Sequence, residues 1–324
     1  MRRRAFFAWA LGAIAAPLVQ AQSAGKRHRV GLLLTASPTP EFVKSIEPFH
    51  LGMRELGWLE GTHYVSEMRW AEGRSERFPE LARELVAAGA DVLVASVTSA
   101  VRALMQATKT IPIVMVAPGE PVASGLVASL ARPGGNVTGM AFDIDTGTYL
   151  RQVDFLRQIV PNLASVAVLA NPALAPQVAT LPGAISASGL KGSVAGVRTP
   201  EELEPAFAQM KLQGVQAAIA VVDGMMAVNA RRIAEFAVKY GVALGSQWDG
   251  MTRAGALISY APTLEENWRR AATYVHRILR GAKPADLPVE LPSRIKLTIN
   301  ANTARSLNLT VPQSILFTAD EVIR

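Results

Sequence analysis

The chain has 324 residues, 50% hydrophobic and 18% charged, and this balance excludes an intrinsically disordered protein. It contains no cysteine, which excludes disulfide bonds, thiolate nucleophiles and cysteine-ligated metals. The formal net charge is +7, but the basic residues are scattered and only 6% of residues are aromatic, so nothing indicates nucleic-acid binding.

The first 21 residues are typical of a secretory signal peptide. Arginines at positions 2–4 precede an apolar stretch over 5–19, and Val19-Gln20-Ala21 offers a small-residue cleavage site. The stretch is shorter than the ~20 residues of a membrane-spanning helix, so we predict export to the periplasm with cleavage near Ala21. The twin-arginine route and the Sec route both remain open, because Arg3-Arg4-Ala5-Phe6-Phe7 resembles a twin-arginine signal. Removing three arginines leaves 30 basic against 26 acidic residues, a net charge of +4.

From residue 29 the chain alternates short strands with amphipathic helices. The pattern predicts strands at 29–35, 64–70, 92–97 and 113–117, and helices at 41–56, 78–88, from Thr98 onward, and 126–130. Gly57 and Gly89 are placed to end the first two helices. This βαβα order predicts a parallel, doubly wound sheet with helices on both faces.

Hydroxyl side chains follow the strand at 92–97, where the next helix begins. Thr98 and Ser99 stand where a helix N-cap belongs, and one interpretation is that they only cap the helix. The start of a helix also carries unpaired N–H groups and a partial positive charge, which suit an anion. Taken alone, these residues leave both interpretations open, a helix cap or a ligand contact.

A turn-rich stretch near the middle of the chain, with Pro133, Gly134 and Gly135, predicts a boundary between two lobes. A strand opens at about Val137. Further strands are predicted at 166–170, 193–197, 217–222, 242–245, 257–260 and 295–299, and helices at 148–160, 175–188, 201–211, 230–240, 264–279 and 301–307. The alternating strands and helices before and after this boundary form two series of similar size, which predicts two similar lobes. The proline-rich stretch 281–292 is expected to link them.

Four stretches of the chain carry a family resemblance. They are GMRELGWLEGTHY at 52–64, RWAEGRSERFPELARELV at 69–86, TIPIVMVAPGEPVASGLVASLARPGGNVTG at 110–139 and RRAATYVHRILRGAKPADLPVE at 269–290. In these stretches the chain resembles the solute-binding proteins of ABC transporters, in the group that includes bacterial tryptophan and tyrosine binders. The resemblance implies an α/β architecture of the type I periplasmic binding fold. In this fold, two Rossmann-like lobes with parallel sheets, joined by three crossovers, close on a solute.

The resemblance also implies a division of the chain and a set of partners. Residues 29–142 with 264–287 are assigned to lobe 1, and 146–261 with 293–324 to lobe 2. The expected partners are a small-molecule solute and an ABC permease in the inner membrane. The protein is expected to be a monomer, to need no cofactor or metal, and not to be an enzyme.

Sheets of this kind bind ligands beyond the carboxyl ends of their strands, so strand-end residues are the candidate ligand contacts. Lobe 1 supplies Thr35, Ser37, Ser96, Thr98, Ser99 and Glu120, and lobe 2 supplies Asn171, Asp223, Gln247, Trp248 and Tyr260. By resemblance, Thr98 and Ser99 hold a ligand carboxylate and Asp223 holds an ammonium group. Trp248 has two interpretations, stacking on a flat solute or packing between the lobes.

Two positions depart from the family pattern, which often has Asp-Pro where this chain has Glu120-Pro121 and a proline where it has Gly224. Because of these departures, the sequence does not identify the solute or the groups of the pocket that bind it. An aromatic or branched amino acid is expected, with another small carboxylate or a nucleobase-like compound as alternatives.

Two other function classes are alternatives, a secreted α/β enzyme and a ligand-sensing module for a membrane signalling partner. The four histidines show neither HxxxH nor HExxH spacing and the chain has no GxSxG, which disfavours the enzyme. The sensing module uses the same fold, and the sequence does not separate it from a transport protein.

Overall fold

The computed structural model describes residues 27–142, 146–174, 178–292 and 294–324. The predicted signal peptide lies outside these residues. The described chain forms two α/β lobes, a five-stranded sheet in lobe 1 and a seven-stranded sheet in lobe 2. The prediction of two α/β lobes with doubly wound sheets is confirmed, and the sheets are mostly parallel.

Lobe 1 is built on strands in the order β2-β1-β3-β4-β5, all of them parallel. The strands are β1 (His28–Leu34), β2 (Tyr64–Trp70), β3 (Val92–Ala95), β4 (Ile113–Met115) and β5 (Val137–Gly139). Its helices are α1 (Pro40–Ser45), α2 (Glu47–Glu55), α3 (Phe78–Ala87) and α4 (Thr98–Ala107), with a 3-10 turn at Ser75–Arg77.

Lobe 2 repeats this order as β7-β6-β8-β9-β10 and adds β11 and β12 beside β10. The strands are β6 (Ser165–Ala170), β7 (Lys191–Gly196), β8 (Ala217–Val221), β9 (Ala243–Ser246), β10 (Ile258–Pro262), β11 (Ile295–Asn300) and β12 (Glu321–Ile323). The helices after β5 are α5 (Thr146–Ile159), α6 (Leu181–Ala187), α7 (Leu203–Leu212), α8 (Gly224–Val228), α9 (Ala230–Tyr240), α10 (Asp249–Arg253), α11 (Leu264–Leu279), α12 (Ala301–Ser306) and α13 (Gln313–Thr318). Further 3-10 turns lie at Pro172–Leu174, Pro200–Glu202 and Pro284–Asp286. The pair β10–β11 is antiparallel, an exception to the predicted parallel sheet.

Both faces of each sheet are covered, which explains the continuous apolar runs in the sequence. In β1, Val30 and Leu32 pack with α2 and α11, whereas Leu33 points to the opposite face and packs with α3 and α4. Lobe 2 has the same two layers, with α5 and α6 on one face and α7 and α9 on the other. The long helix α11 follows β10 of lobe 2 but covers lobe 1, so the chain crosses between the lobes there.

Two predicted helices differ in the structure. The helix predicted over 41–56 is broken at Ile46, because Pro48 lacks an N–H group and fits only the first turn of a new helix, α2. Residues 126–130 form an irregular segment with bends instead of a helix. Gly125 adopts a left-handed φ of 69°, and the N–H groups of Leu126 and Val127 both donate to the Pro121 carbonyl.

The stretch 281–292, predicted as a link between the lobes, is for the most part packed on lobe 1. The Thr138 hydroxyl donates to the Leu287 carbonyl at 2.6 Å, and Glu290 forms a parallel bridge with Met140. Leu287 and Val289 are buried because the extended chain turns alternate apolar residues inward. The division of the chain between lobes, including the boundary at 287, stays a prediction.

Four short elements were absent from the sequence prediction, namely α8, α10, α13 and β12. Each has only three to six residues, too few to show a helical or strand period. Over the described ranges, no helix has both the length and the apolar character needed to span a bilayer.

Candidate ligand-binding cleft

A cavity of about 810 Å³ lies between the two lobes. In each lobe the strand order reverses beside the first strand, between β1 and β3 in lobe 1 and between β6 and β8 in lobe 2. Ligands of doubly wound sheets bind outside the carboxyl ends of the strands at such a reversal. Thr35, Ser96, Asn171 and Asp223, the residues that follow these four strands or come within two residues of their ends, all line the cavity.

The cavity brings together nine of the eleven residues predicted to bind ligand. They are Thr35, Ser96, Thr98, Ser99, Glu120, Asn171, Asp223, Gln247 and Trp248. The other two, Ser37 and Tyr260, are not part of the lining. Tyr260 instead packs edge-on against Phe155, with ring centroids 5.4 Å apart. For all eleven, contact with a ligand stays a prediction.

The start of α4 faces the cavity without a side-chain cap. Val97, with extended backbone angles, is the N-cap residue, and its side chain makes no capping hydrogen bond. Thr98 and Ser99 are the first two residues of the helix, so of the two interpretations the helix cap is ruled out. Their hydroxyl groups and the positive end of the helix are therefore presented to the cleft.

Asp223 is held rigidly at the facing side of the cleft. One carboxylate oxygen, Oδ1, accepts the Met226 N–H at 2.8 Å and so caps α8. The other, Oδ2, accepts a hydrogen bond from Asn171 Nδ2 at 2.8 Å. A carboxylate has about four acceptor positions, so these two bonds leave room for a ligand donor.

The two lobes touch at the edge of the cleft. A Cβ atom at Gly224 would lie 3.3 Å from Thr35 Cβ, and one at Gly73 would lie 3.2 Å from Val228 Cγ2. Thr35 and Gly73 belong to lobe 1, whereas Gly224 and Val228 belong to lobe 2. The segments that follow β1 and β2 in lobe 1 thus lie close to α8 of lobe 2 at this edge.

Seven aromatic residues are part of the lining. They are Phe42, Trp70, Phe78, Phe142, Tyr149, Trp248 and Trp268. Sequence reasoning identified only Trp248 among them. Trp70 ends β2 and could have been found as a strand-end residue, but the others lie on helices or crossing segments whose position depends on how the lobes pack.

Four charged groups in or beside the lobe 2 lining are paired with one another. Glu321, behind the lining, accepts hydrogen bonds from Arg253 at 2.6 Å and from Lys296 at 2.7 Å. Burial opposes ionisation of Glu321, but these two cations outweigh it and lower its pKa. Arg253 also lies 3.6 Å from Asp249. The charges of these four groups therefore cancel, and Asp223 is a further charged group of the lobe 2 lining, with hydrogen bonds to Met226 and Asn171.

Glu120 lies on the opposite side in a left-handed backbone conformation, with φ of 42°. This conformation is uncommon for residues other than glycine and is frequent at binding sites, where the surrounding structure holds it. Within the described ranges, no three His, Asp or Glu side chains are grouped so as to hold a metal ion.

Comparison with known proteins now gives the family. A family profile described as ABC transporter substrate binding protein matches residues 39–323. The chain belongs to this family. Its members bind small solutes for delivery to a permease and are typically extracytoplasmic, and the family is one of solute-binding proteins rather than enzymes.

Relatives and solved structures of the family agree with this placement. A tyrosine-binding protein of Clostridioides difficile (strain R20291) is 23% identical over 276 residues, which cover 83% of this chain and 78% of that protein. The structure of an ABC domain from Streptococcus pneumonia in complex with L-Trp matches with 26% identity and a TM-score of 0.84, covering 92% of this chain and 100% of that one.

A conserved domain protein from Vibrio cholerae matches over the same shares, also with 26% identity and with a TM-score of 0.85. These neighbours have the type I periplasmic binding fold, so the fold expected from the resemblance is confirmed.

Proposed function

We propose that this family member is the periplasmic receptor of an ABC importer and binds an amino acid with a planar aromatic side chain, such as tryptophan or tyrosine. The observation that carries the proposal is the cavity between the strand ends of the two lobes. It combines an uncapped helix start, a fixed carboxylate and an aromatic lining.

Each part of an amino acid has a matching group in the cleft. The ligand carboxylate is assigned to the start of α4, where the hydroxyls of Thr98 and Ser99 add to the backbone N–H groups. The ammonium group is assigned to Asp223 on the facing lobe. The aromatic residues surround the side chain. The relatives described as tyrosine-binding and as a complex with L-Trp support this solute class.

Binding at a site shared by two lobes favours the closed form, because the solute contacts both lobes only when they are closed. The closed form is then the one that the inner-membrane permease recognises. Residues 1–21 act as the export signal in this proposal, and the mature chain works as a monomer.

The function is tested by titrating the chain, purified after export, with individual amino acids while recording tryptophan fluorescence and thermal unfolding. Three of the four tryptophans that follow the predicted signal peptide, Trp70, Trp248 and Trp268, line the cavity, so their emission reports on its occupation. A ligand at 100 times its dissociation constant raises the free energy of unfolding by about 2.7 kcal/mol. If L-tryptophan, L-tyrosine and the other amino acids all leave both signals unchanged, the proposed solute class is refuted.

The role of Asp223 is tested by Asp223→Asn, since asparagine can also cap a helix while it removes the charge. A hydrogen bond to a charged group contributes about 1.5–3 kcal/mol, so affinity for an amino acid should fall by about tenfold to a hundredfold. Asp249→Asn is the matched control, because Asp249 also lines the cavity but pairs with Arg253. Equal affinities of the Asp223→Asn variant and the wild type would remove Asp223 from the ammonium site.

A further inference from the structure

We infer that Gly250 is a positioning residue for solute selection, because the absence of a side chain at this residue lets the indole of Trp248 lie as a fixed aromatic wall of the cleft. The inference rests on the proposed function for the class of solute, an amino acid with a planar ring. Gly250 is inferred to affect solute selection through the position of the Trp248 ring.

The geometry leaves no space for a side chain at residue 250. A Cβ built there would lie 2.7 Å from Trp248 Cη2 and would overlap Cζ2 and Cε2 of the same ring still more closely. Distances below 3.0 Å are essentially never seen for real Cβ atoms, so any larger residue would displace the indole. The six-membered part of the ring thus occupies the space that a Cβ atom of residue 250 would take.

The backbone of Trp248 is fixed, so a displacement would have to be taken up by the ring. The Trp248 N–H donates to the hydroxyl of the fully buried Ser246 at 3.1 Å, and the Trp248 carbonyl accepts the Met251 N–H at 3.1 Å. The indole packs against the lobe 2 core that contains Met251, and it also lines the cavity. It is therefore held from behind and partly open to the cleft.

The backbone at residue 250 does not itself require glycine. Gly250 lies in the first turn of α10, and its φ is outside the left-handed range in which L side chains are strained. Alanine has the higher helix propensity at such a position. The Trp248 ring is what a side chain would meet there, so the choice of glycine is explained by the site and not by the fold of the helix.

A fixed aromatic wall favours solutes with a flat apolar ring. Offset or edge-on contact between aromatic rings adds to the burial of apolar surface, and a ring that is already in place loses little conformational freedom on binding. Trp248 is thus interpreted as a stacking surface, and Gly250 as the residue that keeps it in position.

The test is a double-mutant cycle on the exported chain with L-tryptophan and L-tyrosine as probes. Gly250→Ala should weaken binding of the better probe about tenfold, whereas in a Trp248→Ala background the same change should alter affinity less than twofold. Gly183→Ala is the matched control: Gly183 is in the short helix α6 of the same lobe, and a Cβ there would have no neighbour within 4 Å.

A readout without ligand accompanies the cycle. In a sample with ¹⁵N-labelled indoles, the Nε1–H resonance that disappears in Trp248→Phe belongs to Trp248, and Gly250→Ala should shift it while Gly183→Ala should not. An unshifted resonance, an unchanged affinity, or an equal loss in the Trp248→Ala background would each overturn the inference. If the wild type binds neither probe, the proposed function and the ring selection both fail, and the resonance alone decides whether Gly250 seats the ring.

Discussion

Asn267 ties the crossing helix α11 to lobe 1, and replacing it should destabilise the protein in a way that depends on the replacement. Its side-chain Nδ2 donates to the Val116 carbonyl at 2.8 Å and lies 3.4 Å from the Ala141 carbonyl. These carbonyls follow β4 and β5, and Asn267 is only 1% exposed. One buried amide thus serves two strand ends close to the cleft.

The size of the effect follows from these contacts. Asn267→Leu keeps a similar volume but deprives buried carbonyl groups of their donor, which costs about 1–3 kcal/mol. Asn267→Asp places a carboxylate against carbonyl oxygens at pH 7, and an uncompensated buried charge costs about 3–5 kcal/mol. Burial would raise the pKa of the new carboxyl in the folded state, so lowering the pH through that pKa should relieve the penalty as the acid becomes a donor.

Urea unfolding followed by circular dichroism at pH 7 and pH 5 gives these free energies from the midpoints and slopes. Gln209→Glu makes the same amide-to-acid change on the exposed side of α7 and should shift the free energy of unfolding by less than about 0.5 kcal/mol. The reasoning fails if Asn267→Asp is no less stable than Asn267→Leu at pH 7, or if its deficit grows as the pH is lowered.

Two further predictions concern lobe 1. Gly52→Ala should lower the free energy of unfolding by about 1–3 kcal/mol, although alanine has the better helix propensity. The reason is that the new Cβ would lie 2.9 Å from Ala272 Cβ and 2.9 Å from the Arg269 carbonyl oxygen. An unchanged urea midpoint would show that α2 and α11 can separate without cost. Burial lowers the pKa of His50, so wild-type stability should fall as the pH drops from about 6.5 through that lowered pKa, where the unfolded chain binds the proton more readily. His50→Gln should therefore lose less stability between pH 7.5 and pH 5, and parallel losses in the two proteins would contradict the assignment.

The layered architecture could be predicted from the sequence, because burial of a strand on both faces is visible in its own residues. The apolar runs of β3, β6 and β8 require cover on both sides, and the helices between them supply it. Helix ends were also readable: Gly57 and Gly89 adopt left-handed φ values of 85° and 74° just after α2 and α3. Both features depend on residues close together in the chain.

Most of the predicted cleft residues were found because ligands bind beyond the carboxyl ends of parallel strands, and the strands themselves are predictable from local sequence. Thr35, Ser96 and Asp223 each lie at the end of a predicted strand. Phe42, Phe78 and Trp268 could not be found in this way, because they lie on helices and not at the ends of strands. Nothing in the local pattern of a helix says which end of the sheet its side chains approach.

The amino-acid sequence by itself determined the alternation of strands and helices, the two lobes and the ends of the strands where a ligand is expected. Only the tertiary structure decided that β11 runs antiparallel to β10, that Glu290 forms hydrogen bonds with Gly139 and Ala141, and that the Trp248 ring fills the space beside Gly250. The physical reason is the range of the interactions. Periodic burial and turn chemistry act over a few residues, whereas contacts such as that of Asn267 with Val116 join groups 151 residues apart and exist only once the lobes have packed.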